Sequence, residues 1–196
     1  MSTAIQEPEL TLSAEHVYSR AGRVVPSVTQ ILKETGLVDD RWFTEHSSWR
    51  GSAVHSMCHY DDEGDLDEST LDYRLKGYLE AYRLFKAEMK FVATHNEQRV
   101  YHETLGYAGT FDIKGTFVHG DCLPDIKSGA VNKVTRFQTV AYAATQERPR
   151  TLWRFGLGLK PDGKYSLKVY QPKDFDRDFR AWQSIVAFFH IRRGIL

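Results

Sequence analysis

Apolar positions along this chain follow two periods, and the change between them marks its architecture. Leu71, Leu75, Tyr78, Tyr82, Phe85 and Met89 recur every three or four residues. That is the spacing of one face of a long amphipathic helix, which predicts a helix over about 70–92 with its stripe in the core. From Arg99 the pattern shortens. Val100 to Leu105, Gly109 to Val118 and Leu123 to Lys127 are rich in β-branched and aromatic residues and are separated by turns containing Gly, which predicts three strands in an antiparallel meander. Residues 135–147 suit a helix. Leu152 to Leu159 and Tyr165 to Tyr170 suit a hairpin around Pro161-Asp-Gly163, and Asp174 is the expected cap of a last helix carrying Phe175, Phe179, Trp182, Val186 and Phe189.

Toward the N-terminus the pattern is weaker. Residues 1–22 are polar and aperiodic, which predicts a flexible arm, with order beginning near Val24 and a single domain over 23–196. Ser27-Val-Thr-Gln30 reads as a capping box, in which side chains satisfy the free amides of a helix start, here of a helix over about 28–35 ending at Gly36. Trp42 to Tyr60 reads as a second helical stretch, interrupted near Arg50-Gly51. The acidic run from Asp61 to Glu68 reads as an exposed loop, since it lacks the ligand spacing of a calcium-binding EF-hand. The order is helices, three strands, helix, hairpin, helix. It implies an α/β fold with a central mixed sheet flanked by helices.

Composition narrows the function classes. At 196 residues and 41% hydrophobic, the chain can bury a full core, and its length fits one domain. No apolar run approaches the roughly 18 residues of a spanning helix, and Met1 to Leu10 lack a signal-peptide pattern, so a soluble, cytoplasmic protein is expected, with no membrane partner. Cys58 and Cys122 are too few for a disulfide framework or an iron–sulfur cluster, and are expected as buried thiols. The net charge of zero hides an asymmetry. Residues 1–126 carry 12 Lys and Arg against 21 Asp and Glu, a net of −9, whereas 127–196 carry 14 against 5, a net of +9. A basic half can follow a phosphate backbone while carboxylates opposite it hold a metal. Scattered solvated charges would give the same counts.

The residues that can carry chemistry lie on the predicted strands. Breaking a phosphodiester requires neutralising phosphoryl charge and activating water near neutral pH, which carboxylate-held divalent metals do together. Residues i and i+2 of a strand share a face, so Asp125 and Lys127 point the same way, and Asp112 on the preceding strand can reach the same point. Mg²⁺ or Mn²⁺, one or two ions, suits such oxygen donors.

Pro124-Asp-Ile-Lys127 and the preceding Gly109-Thr-Phe-Asp112 resemble the signature of the PD-(D/E)XK nuclease superfamily. The ordered set of Arg50-Gly-Ser-Ala-Val-His55, Gly109-x-x-Asp112, Asp125-x-Lys127 and Gln138-Thr-Val-Ala-Tyr142 is similar to its RecB-like exonuclease branch, over about residues 24–145. The resemblance implies a restriction-endonuclease-like core. It makes Asp112, Asp125, the Ile126 carbonyl and His55 metal ligands, and Lys127 the group that orients or deprotonates water. Gln138 and Tyr142 become supports of the catalytic strand and DNA contacts. Some relatives add a glutamate before these strands, for which Glu97 is the first candidate and Glu103 the second. Without the resemblance, His55 would read as a core histidine and Gln138 and Tyr142 as surface polars.

DNA contact beyond the metal is expected from Arg50 and from the basic half, including Lys133, Arg136 and Arg154, with Trp153 or Tyr165 as possible stacking rings and Trp153 alternatively core. No sequence-reading motif is present. The function implied is a metal-dependent DNA exonuclease of replication, recombination or repair, acting on single strands or free ends, with proteins of those processes as further partners. The rivals are an endonuclease on the same site and a non-catalytic DNA-binding or assembly module.

Overall fold

A computed structural model describes residues 9–38 and 44–195. Leu10–Leu12 (β1), Tyr18–Arg20 (β2) and Arg23–Val25 (β3) pair antiparallel into a small sheet. Regular structure therefore begins before Val24, within the segment expected as a loose arm. Strands of three residues are too short to display an alternation. They are anchored by Tyr18, which is buried with Val25 and Ala108, its hydroxyl 2.7 Å from Thr110 Oγ1.

After Pro26 the chain enters α1 (Val28–Glu34), where Ser27 Oγ accepts the Gln30 amide at 3.0 Å, the bond its sequence predicts. Helix α2 (Glu45–Glu63) starts at a reciprocal Thr44–Ser47 capping box and ends at Gly64 with φ of 76°. It runs unbroken through Gly51, where an interruption was expected. A helical glycine costs roughly 1 kcal/mol relative to alanine, less than burying Val54, Met57 and Cys58 on the same helix recovers. Trp42, placed at the start of this stretch by the sequence, lies outside the described residues. Helix α3 (Lys76–Met89), shorter than the 70–92 expected, buries Tyr78, Tyr82 and Phe85 of the predicted stripe together with Leu79, while Leu75 is buried in the turn before it.

The meander follows as β4 (Val92–His102), β5 (Tyr107–Phe117) and β6 (Gly120–Lys127). β4 starts earlier than the sequence suggested because it is a sheet edge, largely exposed, and so has no buried face to impose alternation. Helix α4 (Thr135–Ala143) crosses to β7 (Trp153–Leu159), which lies parallel to β6, and β8 (Tyr165–Tyr170) returns antiparallel. The sheet is thus five-stranded and mixed, in the order β4-β5-β6-β7-β8. Helix α5 (Phe175–Arg192) closes the fold. Asp174 does not cap it by its side chain; its Oδ2 accepts the Gln171 amide at 3.0 Å in the preceding turn.

Two cores sandwich the sheet. Helices α2 and α3 pack on Ile113, Phe117, Cys122, Ile126, Phe155 and Leu157, and α1, α4 and α5 pack on Tyr107, Phe111 and Leu123. Both cysteines are buried free thiols. Among the described residues no helix is long and apolar enough to cross a membrane.

Between β7, α4 and α5 lies a buried ionic network that corrects one expectation. Arg154, expected to contact DNA, is fully buried on β7; its guanidinium bonds Asp178 Oδ2 at 2.8 Å and the Arg136 carbonyl at 3.2 Å. Arg136, also expected to contact DNA, bonds the other Asp178 oxygen and remains one-third exposed. Gly156 and Gly158, on the same face of β7 as Arg154, lie directly under Val131, so this face is covered by protein and Arg154 cannot reach a ligand. Burial pushes the Asp178 carboxyl up, but its bonds to Arg154, Arg136 and Arg177 outweigh that and hold it below the usual carboxylate range.

A carboxyl depressed in the folded state stabilises above its unfolded pKa of about 4 and loses that contribution as pH falls through the folded value. Asp178→Asn should lower unfolding free energy by about 3 kcal/mol at pH 7, since it strands a buried arginine. In urea titrations the gap to wild type should close toward pH 3. Equal stability at pH 7 would show that the network contributes nothing.

Candidate active site

The site forms where two strands part. β5 and β6 pair at Phe117–Gly120, Thr116–Asp121 and Gly115–Cys122, and beyond that the ladder stops while β6 remains bonded to β7 as far as Lys127. The amide and carbonyl of one strand residue point to the same side, so both polar groups of Ile126 face the gap and need partners. Side chains supply them. Asp112 Oδ2, on β5, accepts the Ile126 amide at 2.6 Å, and His55 Nε2, on α2, lies 3.0 Å from the Ile126 carbonyl oxygen. His55 Nδ1 is 3.4 Å from Asp112 Oδ1.

Asp125 and Lys127 project from the same face of β6, with Lys127 Nζ 2.7 Å from Asp125 Oδ2. Gln138 Oε1, on α4, accepts from Lys127 Nζ at 3.2 Å, and Tyr142 lies one turn farther along that helix. The structure therefore brings His55, Asp112, Asp125, Ile126, Lys127 and Gln138 into one contact chain. Gly109, which opens the G-x-x-D motif, lies under the Tyr142 ring. A Cβ at Gly109 would fall 2.5 Å from Tyr142 Cε1. That glycine serves close packing of α4 on β5.

Charges are balanced but strained. The side chain of Asp125 is 1% exposed, and its Oδ1 has no partner among the described residues. Burial pushes its carboxyl up to about 6; Lys127 opposes this and Asp112 adds to it. For Asp112 burial also acts upward, but His55, Lys127 and the Ile126 amide outweigh it and hold the carboxyl below its ordinary range. Burial pulls His55 down, and the Asp112 charge overcomes it and raises the imidazole to about 9. Lys127 is likewise held above the ordinary lysine range, its burial outweighed by the two carboxylates. Burial raises Tyr142.

Two carboxylates and a carbonyl bordering one gap offer hard oxygen donors for a divalent cation, and the His55 imidazole could join them only by giving up its proton. A buried carboxylate oxygen without a partner is the feature that such an ion would satisfy. Among the described residues no three His, Cys, Asp or Glu side chains are grouped as a metal site; the Ile126 carbonyl, 3.0 Å from His55 Nε2, is a further oxygen at the same gap.

The remaining candidates are dispersed. The pairing of Asn96 with Ile113 and Gln98 with Phe111 sets Glu97 across from Asp112, but Glu97 is exposed at φ of 48° and makes no ion pair among the described residues. Glu103 is bound by Arg20 at 2.5 Å. Arg50 reaches the site's edge, its Nε 3.5 Å from Ser128 Oγ, next after Lys127. Lys133 is exposed. Trp153 packs edge-on to Phe117 and stacks on His119, and Tyr165 bonds Glu88. His59, on the same helix as His55, pairs with Glu63 at 2.9 Å instead. Tyr18, which buttresses Thr110 two residues before Asp112, was not foreseen; its strand is too short to leave a sequence signal.

No protein-family model matches the chain, and no curated protein matches it. Among solved structures it is similar to the crystal structure of a protein from Eubacterium rectale named as a "putative exonuclease". The TM-score is 0.50 at 13% sequence identity, with 90% of this chain and 79% of that chain covered. At that identity the likeness is one of fold, a five-stranded mixed sheet flanked by helices.

Proposed function

We propose that this chain is a metal-dependent deoxyribonuclease of the RecB-like PD-(D/E)XK kind, acting as an exonuclease on single-stranded DNA or free ends in replication, recombination or repair. The observation that carries the proposal is the convergence of Asp112, Asp125, the Ile126 carbonyl and Lys127 where β5 and β6 part, with His55 closing the gap from α2. The fold shared with the Eubacterium rectale protein, and that protein's name, support the same reading.

In this proposal Asp112, Asp125, the Ile126 carbonyl and His55 hold Mg²⁺ or Mn²⁺. When bound, the cation supplies charge neutralisation at the phosphoryl oxygens and acidification of water. Lys127 orients the attacking water and steadies developing charge, at a nitrogen fixed between Asp125 Oδ2 and Gln138 Oε1. Tyr142 holds α4 against β5 through its contact with Gly109. Arg50, Lys133 and the exposed part of Arg136 contact the DNA backbone. A positioned lysine does this work better than a mobile one, because no reorganisation is needed when charge develops.

Asp112→Ala and Asp125→Ala should each lower cleavage of labelled DNA in Mg²⁺ about a thousandfold or more, since several kcal/mol of transition-state stabilisation disappear. Lys127→Ala should lower it about a hundredfold or more while metal binding, followed by calorimetry, persists. Activity within tenfold of wild type for all three would remove the site assignment.

The two histidines of α2 give an internal control. His55→Ala should reduce activity at least tenfold and raise the Mg²⁺ concentration needed for half-maximal rate, whereas His59→Ala should match wild type. Equal small effects, or a loss of melting temperature in His55→Ala without metal and no change in metal demand, would return His55 to a structural role.

Linear single-stranded DNA should be degraded in Mg²⁺ and a covalently closed circle of the same sequence should survive. Rates should fall steeply with added salt on every sequence, because binding rests on phosphate contacts. Similar loss of line and circle would replace the exonuclease with an endonuclease, and inertness toward both would leave a binding module.

A further inference from the structure

Beside the parted strands lies a second concavity that the chemistry above does not use. It encloses about 400 Å³ between the first turns of α2, the turn preceding α3 and the β7–β8 hairpin. Leu75, Tyr78 and Pro161 make its floor. The floor is rigid, because Gly77 brings α3 so close to the hairpin that a Cβ there would lie 1.9 Å from the Pro161 carbonyl oxygen. Its walls are aromatic. Trp49 is 40% exposed and Tyr73 is 79% exposed, although neighbouring Leu75 and Tyr78 are buried. Arg74 is clamped by Asp72 through Nε and Nη2, and this sets its guanidinium 4.4 Å over the Trp49 ring. That contact covers part of the Trp49 ring and fixes its place at the edge of the concavity. Arg50 also lines the concavity, and its Nε lies 3.5 Å from Ser128 Oγ, one residue beyond Lys127.

We propose that this concavity binds one unstacked base of the DNA strand whose phosphate lies at Lys127, with the base against Trp49 and Tyr73 and the intervening phosphate on Arg50. The proposal rests on the nuclease reading for the identity of its ligand. An aromatic surface recognises any base by its π-face and so tolerates any sequence, in keeping with a chain that has no element for reading base edges. A duplex keeps its bases stacked and would have to surrender one to enter. The concavity therefore favours single strands and frayed ends. A single arginine side chain, Arg50, both lines the concavity and reaches Ser128 at the strand end. The charge is suited to that passage: Asp72 neutralises Arg74, and among the described residues lining the concavity Arg50 is the other cation, on the side of the scissile phosphate.

Anisotropy of a labelled oligothymidylate in EDTA tests this without cleavage. Trp49→Ala and Tyr73→Ala should each weaken binding about tenfold, and Trp49→Phe should restore most of it. Tyr73 is largely exposed, so Tyr73→Ala should keep the wild-type melting temperature; Trp49→Ala also removes the ring under Arg74 and should melt lower, a loss for which Trp49→Phe is the control. On an abasic strand of equal length wild type should already bind weakly, and the alanine variants should lose nothing further. Undiminished oligothymidylate binding by both alanine variants, an equal loss on the abasic strand, or no binding by wild type would each overturn the proposal. Cleavage in Mg²⁺, measured separately, distinguishes the two readings. A wild type that binds through these rings but never cuts keeps the concavity and removes the nuclease, and one that cuts with binding indifferent to both rings does the reverse.

Discussion

The structure depends on one unsatisfied pair of backbone groups. Inside a sheet, strands that separate leave amides and carbonyls facing each other across a gap, and a buried group left alone costs roughly 1–3 kcal/mol. Here the separation beyond Gly115–Cys122 exposes the Ile126 amide and carbonyl together. Asp112 takes the first and His55 the second. The same contacts tie α2, on one layer of the fold, to β5 and β6 in the middle. What holds the gap open structurally is thus the set of polar atoms best placed to act in it. A site of this kind needs no loop insertion, because two diverging strands and one helix already bring the groups within hydrogen-bond range.

Electrostatics then sets how firmly those groups are held. Two carboxylates buried side by side would repel, and burial alone raises both. The fold places an imidazolium against Asp112 and an ammonium against Asp125. The compensation is uneven: Asp112 sits low with three partners, whereas Asp125 is pushed up to about 6 with one oxygen partnerless. The Arg154–Asp178 network has the opposite character. Its carboxylate has three cationic partners and Arg154 is wholly enclosed, so it holds α5 against β7 and α4, and its Arg154–Asp178 pair offers nothing to a ligand. Buried charge alone does not mark a functional group, nor does one unpartnered atom, since Arg154 Nε also lacks a partner among the described residues; what sets Asp125 apart is its place beside the gap.

That contrast explains what the sequence made legible. The α3 stripe and the meander were readable because a half-buried element must show its period, and Asp112, Asp125 and Lys127 were readable because strand parity fixes which side chains share a face. Arg154 was misplaced because charge counting treats every cation as solvent-facing. A local sign was present, since Trp153 to Leu159 is otherwise apolar and glycine, and an arginine in such a strand is buried with a partner. The N-terminal sheet and the start of β4 were missed for a related reason: three-residue strands and an exposed edge impose no alternation. Nor could Trp49, Tyr73 and Arg74 be grouped from sequence, because the helix and the turn that bring them together are joined only by packing.

The glycines show how the motif and the fold specify each other. Gly109 has an ordinary backbone conformation, so conformational freedom is not what this position requires. It requires space, since Tyr142 lies where a Cβ would be. On β7, Gly156 faces Val131 and Thr135, and Gly158 faces the Gly129 carbonyl, with hypothetical Cβ contacts of 2.4 Å in both cases. These three positions let α4 and the segment before it settle directly on the sheet, closer than any side chain would permit. That approach brings Gln138 within 3.2 Å of Lys127 Nζ. An alanine at Gly109 or Gly156 would press on Tyr142 or Thr135 of α4 and so disturb the acceptor that positions the lysine, whereas one at Gly158 would meet the Gly129 carbonyl before the helix. The spacing of Gly109 before Asp112 therefore encodes the depth at which a helix packs, and through it the position of the lysine on the neighbouring strand.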